Sequence, residues 1–170
     1  MVFYQQLLRG IGDRLRFALT LFAALGCGLI AGVFFAFSTS VMKALARLPS
    51  AEGIAAMQFI NVVILNPVFL GAFVGTAAAC ALLVIGAVLR WHEPGAAYLL
   101  VGGALYLVGT FLVTMVCNVP RNDALAAIAP TDPDSARLWA DYVATWTAWN
   151  HLRAAAALAA AASLTLALRY

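Results

Sequence analysis

From Phe17 to Met42 the chain carries no charged residue. A helix over that run is longer than the roughly 20 residues needed to cross the apolar core of a bilayer. Composition extends the constraint to the whole molecule. Of its 170 residues 65% are hydrophobic and 10% charged, whereas soluble domains carry about 25% charged residues. The surface therefore cannot face water all round, and the chain reads as an all-α polytopic membrane protein. A net charge of +3 is too small to suggest a nucleic-acid partner and fits a membrane protein with a few cytoplasmic Arg.

Four transmembrane spans are expected in a single membrane domain over 1–170, at about 17–41, 67–89, 97–117 and 149–168. Arg9, Arg14 and Arg16 precede the first, and Ala24-Leu25-Gly26-Cys27 loosely matches a lipoprotein cleavage site. The apolar run outlasts the 7–15 residues typical of a signal h-region, so a retained helix is expected. Gly28, Gly32 and Ala36 form a small-xxx-small pattern that lets helices approach closely. Asn66-Pro67 is a capped start for the second span. Asn118, Pro120 and Arg121 mark the end of the third. Short interfacial helices are expected in the first loop, capped by Ser50, and in the third, from Asp132-Pro133 with Thr131 and Asp134 at capping-box spacing. Cys27, Cys80 and Cys117 are scattered through apolar segments, with no CxxC pair, so they read as small buried residues rather than a zinc or dithiol site.

The fourth span is short. Only 15 residues separate Arg153 from Arg169, about 22 Å of helix against an apolar core of roughly 30 Å. To cross, the helix must begin near Trp149, which brings Asn150, His151 and Arg153 to the membrane edge or inside it. Ionisable residues at that depth are costly and mark functional sites by default, although an Arg there can also snorkel to the headgroups. Even-numbered topology sets the first and third loops on one side, with Asn61, Asn66, Asn118, Arg121, Asn122 and Trp146 at the same end. Trp146, Asn150 and Arg153 share one helical face and Thr110, Thr114, Cys117 and Arg121 another, with Asn118 at its edge. Phe34, Phe35 and Phe37 are expected to form an apolar wall between them. Lys and Arg are tied at five on each side; discounting Arg121 and Arg153 as site residues puts both termini in the cytoplasm and the polar end outside.

Such a pocket has one base titrating near neutrality, His151, and Arg and Asn donors for a phenolate, enolate or carboxylate. His92 lies on the other side from His151, so no metal set is expected; His151 as a lone haem ligand is conceivable. Each residue also has a structural reading: Asn66 and Asn122 as helix caps, Asn61 as an interhelical hydrogen-bonding residue, Trp146 as an interfacial anchor and His151 as a satisfied buried imidazole.

Phe34-Phe35-Ala36-Phe37-Ser38, Leu65-Asn66-Pro67, Asn118-Val119-Pro120-Arg121-Asn122 and Trp146-Thr147-Ala148-Trp149-Asn150-His151-Leu152-Arg153 together resemble the DUF1772 family, labelled anthrone oxygenase-like. The resemblance implies oxidation of an anthrone-like or polyphenolic lipophile by O₂ with no metal or flavin cofactor. The motif positions it carries over are Asn61, Asn66, Asn118, Asn122, Trp146, Asn150, His151 and Arg153. With Arg121 and Phe35 from the pocket reading, the expected roles are catalytic for His151, Arg153, Asn150 and Arg121, and substrate contact for Asn61, Asn66, Asn118, Asn122, Trp146 and Phe35. A lipophilic aromatic and membrane lipid are the expected partners, in the bacterial inner membrane. The alternative is a non-enzymatic subunit or quinone-, pigment- or lipid-binding protein of a larger complex, and a homodimer is compatible with either.

Overall fold

The computed structural model describes residues 2–131 and 133–170, with side chains described from residue 10 onward. Among the described residues it is all-helical. Helix α1 (Val2–Ala36) continues through a π turn (Phe37–Val41) into α2 (Met42–Leu45). Helix α3 (Ser50–Val63) and α4 (Pro67–Leu89) follow. Helix α5 (Ala96–Ala104) runs through two π segments (Leu105–Leu112, Thr114–Asn118) into α6 (Val119–Ala126), and α7 (Ser135–Ala167) completes the chain.

Three of these helices are long and apolar enough to cross a membrane: Gly10–Leu45, Pro67–Leu89 and Ala96–Ala126. Their outward faces carry Leu25, Leu29, Leu82, Ile85, Val101 and Val108, all exposed, as a lipid-facing surface requires. Helix α7 is not among the three. Arg137 and Asp141 occupy its first half, and Asn150, His151 and Arg153 interrupt its middle. Nevertheless α7 packs on α1 and α5, and α4 packs on the same two, so the long helices close on one another.

Two ends are distinct. At one, Arg16 pairs with Glu93 at 2.8 Å and Tyr98 stacks on Tyr170, gathering the start of the apolar part of α1, the α4–α5 turn and the chain's last residue. At the other, α3 and α6 cover the first half of α7: Gln58 Nε2 donates to the Leu125 and Ile128 carbonyls, and Met42, Ile54, Met57, Leu125 and Trp139 form a second core.

Several local expectations are corrected. Ser50 is the first residue of α3, and Pro49 occupies its cap position without a side-chain hydrogen bond. The start of α7 is Ser135 after Asp134, again without a side-chain cap; Asp132 lies outside the described residues. The third apolar helix does not end at Asn118 but continues to Ala126. Pro120 lacks an N–H and crowds the preceding turn, and the π segment just before it respaces the ladder there. Asn66 does cap α4, accepting from the Val68 and Phe69 amides.

The Gly28, Gly32 and Ala36 stripe is exposed, and a Cβ on either glycine would meet nothing within 4 Å. Close approach within the chain occurs elsewhere. A Cβ at Gly26 would collide with the Thr76 hydroxyl, and one at Gly109 would lie 2.5 Å from the Ala156 Cβ. Cys27 and Cys80, remote in sequence, meet in the α1–α4 contact with sulfurs 4.0 Å apart.

Gly109→Ala forces the α7 backbone away from the second π-containing helix, and overpacking of this kind costs about 1–3 kcal/mol. The expected outcome is a lower thermal unfolding temperature in detergent. Gly28→Ala, facing open space, serves as the comparison and leaves that temperature unchanged.

Candidate functional site

The polar residues of α7 project between α1 and the π-containing helix. Arg153 is 4% exposed and Asn150 0% exposed. The Arg153 Nη2 donates to Asn150 Oδ1 at 2.6 Å, and Nη1 donates to Thr114 Oγ1 at 3.1 Å. Its guanidinium carbon sits 4.1 Å from the Phe34 ring centroid and 5.2 Å from that of Trp146, within cation–π range. Among the described residues no carboxylate lies within ion-pair distance of it. Its charge is therefore held by dipoles and aromatic faces, and its Nε–H finds no partner.

Asn150 carries the network across to α1. Its Nδ2 donates to the Phe34 carbonyl and to Ser38 Oγ, both at 2.6 Å. Phe34 stands at the entrance to the π turn and Ser38 within it. On the other side, Thr110 Oγ1 donates to the Arg153 carbonyl, Thr114 Oγ1 to the Thr110 carbonyl, and Asn118 Nδ2 to the Trp146 carbonyl. Ser38, Thr110, Thr114 and Asn118 all lie in π segments. A π turn widens the helix and is frequent at functional sites. Thr110, Thr114 and Asn118 align toward α7 and Asn118 is fully buried, whereas α-helical spacing had put Cys117 on that face and Asn118 at its edge.

A second layer lies toward α3 and α6. The Tyr142 hydroxyl and the Trp146 Nε1 both donate to Asn122 Oδ1, at 3.0 and 2.8 Å. Asn122 is thus inside α6 and receives two bonds from α7 rather than capping a helix that begins at Asp123. Asn61 approaches Tyr142 from α3, with its Nδ2 buried and unpartnered. Arg121 donates to the Cys117 carbonyl and lies over the Trp149 ring at 5.9 Å, outside the Arg153 cluster.

Besides Arg121, three expected site residues fall away from the cluster. Phe35 is 63% exposed and faces outward; the apolar wall is made by Phe34, and by Phe37 against Trp146. Asn66 is exposed and serves as the α4 cap. His151 is exposed, because it follows Asn150 by one residue and so turns about 100° away from the buried face. His151 does line a groove of about 370 Å³ between the π turn, α2 and α7, together with Ser38, Met42 and Thr147. Ser38 belongs to both places: its oxygen accepts from Asn150, and the residue is among those lining the groove. Ser38 was not singled out from the sequence, where only its position after Phe34-Phe35-Ala36-Phe37 marks it.

These features define a helical membrane protein with a buried, uncompensated cation at one end. The chain belongs to the anthrone oxygenase family, DUF1772, whose model matches residues 68–163, more than half of its length. That stretch contains Asn118, Arg121, Asn122, Trp146, Asn150, His151 and Arg153, and leaves Ser38, Asn61 and Asn66 outside. No significant match is found among curated proteins or solved structures.

Asn150→Ala removes the acceptor for Arg153 Nη2 and both bonds to α1. Stranding one partner of a buried charged group costs about 3 kcal/mol. The expected outcome is a large loss of thermal stability, whereas Arg121→Ala, on the periphery, changes it by less than about 1 kcal/mol.

Proposed function

We propose that this protein is a membrane-embedded oxygenase that converts the methylene of an anthrone-like or polyphenolic lipophile to a ketone with O₂. The family supports the reaction class. The observation that carries the reading is Arg153, a cation buried without a carboxylate partner. An arginine at membrane depth costs about 2.5–3.5 kcal/mol on insertion scales, and a site that stabilises substrate anion is a physical use for it.

In this reading His151, in the groove, removes a proton from the methylene. The electron pair delocalises onto the carbonyl oxygen, giving a phenolate-type anion that the Arg153 network stabilises. The anion transfers electrons to O₂, a carbon–oxygen bond forms, and the resulting hydroperoxide loses water to leave the ketone. Methylene plus O₂ yields ketone plus H₂O. Asn61, Asn118 and Asn122 shape the polar end, with Trp146 bracing Arg153. The second half of α7 crosses the membrane beside the three apolar helices as the fourth span, and α3 and α6 lie at the interface. Both termini are cytoplasmic in the bacterial inner membrane, and the Arg153 end faces the periplasm.

Oxygen consumption by the purified protein given anthrone is the test. Loss of a general base or of an oxyanion donor typically lowers turnover about 100-fold, so His151→Ala and Arg153→Lys each reduce the rate by about that factor. Variants that consume oxygen at the parental rate remove the mechanism. Binding of the aromatic without oxygen uptake by the parental protein would favour a ligand-binding subunit instead.

A further inference from the structure

Resting on the oxygenase reading, we propose that the groove between the π turn, α2 and α7 is the substrate site, and that Ser38 is the donor that meets the substrate's anionic oxygen. Ser38 is 1% exposed and is among the residues that line the groove. Its oxygen accepts from Asn150, and its own proton is donated to none of the described residues. Asn150 in turn accepts from Arg153. The hydrogen bonds therefore run one way, from the guanidinium through the amide to the serine hydroxyl, each donor strengthening the next. The end of the chain is the Ser38 O–H, with an uncommitted proton.

A second hydroxyl supports a polar ligand there. Thr147 also lines the groove, and its buried Oγ1 has no hydrogen-bond partner among the described residues. The charged or titratable residues that line the groove are Lys43 and His151, with no carboxylate among them. The remaining wall is apolar, from Met42 and Val143 to the small Ala144 and Ala148. Small side chains leave room for a flat ring system, and the donors suit one oxygen at its edge. The ligand class is a planar hydroxylated aromatic, bound as its phenolate or enolate. Arg153 thereby acts at a distance, through Asn150 and Ser38, which makes Ser38 the contacting group and Arg153 a positioning one.

The probe is 1,8-dihydroxyanthraquinone, whose phenolate has its own absorption band, titrated with pH in the presence of the full-length protein in detergent. Anion-stabilising donors lower the apparent phenol pKa of the bound dye, by about one unit relative to micelles alone. Ser38→Ala removes most of that shift and weakens binding about tenfold, the effect of one hydrogen bond to a charged group. The difference between the parental protein and Ser38→Ala persists in a Lys43→Met background, which separates the serine from the nearby ammonium. Ala148→Trp, on the exposed groove wall, abolishes binding while leaving the Arg153 network in place. An unshifted dye, a shift indifferent to Ser38, dependence on Lys43 alone, or dye binding unaffected by Ala148→Trp overturns the proposal. Oxygen uptake without the Ser38-dependent shift keeps the oxygenase reading and removes this site; the shift without oxygen uptake does the reverse.

Discussion

The amide of Asn150 joins the three parts of this molecule that matter for its polar end. One atom group accepts from Arg153 on the same helix; the other donates to the Phe34 carbonyl and the Ser38 hydroxyl on α1. An arginine in an apolar interior without a carboxylate needs its donors satisfied by neutral dipoles. Asn suits this because it accepts and donates at once. The register of α7 against the α1 side is tied to the two bonds from the Asn150 amide, since a shift of one residue along either helix would strand that amide.

The π segments are the backbone counterpart of the same problem. Three of them surround the Arg153 cluster, and each contributes at least one of the side chains that line it. Thr110, Thr114 and Asn118, four residues apart, share one face, and in these π segments that face is turned to α7. The widened turns also accommodate Pro120 in a helix that continues past it. The apolar remainder of the molecule, with Cys27, Ile30, Phe73, Tyr106 and Leu164 in its main core, is the frame that holds these segments against α7.

The proposed function rests on where this cation sits relative to the groove. Arg153 is sealed from solvent, whereas His151 is exposed one position away from Asn150. Base and cation thus occupy different faces of α7, and Ser38 stands between them. In the proposed reaction this separates the group that takes the proton from the group that holds the resulting charge.

Much of the molecule was legible in the residues. Uncharged runs disclosed the apolar helices, and Asn66-Pro67 the start of α4. Periodicity also aligned Trp146, Asn150 and Arg153, since α7 is a regular helix there. What periodicity could not disclose were departures from its own assumption. Ser38 and Asn118 both lie in π segments and both are buried. The outward rotation of Phe35 and of the Gly28–Gly32 stripe depended on which neighbours α1 found. So did the meeting of Cys27 with Cys80, which lie 53 positions apart. Composition and local pattern determined that this chain is helical, apolar and polar at one end, because those properties are set by each segment's own side chains. Which polar groups touch was decided only by the tertiary structure, because hydrogen bonding in a low-dielectric interior depends on ångström-scale register between helices remote in sequence.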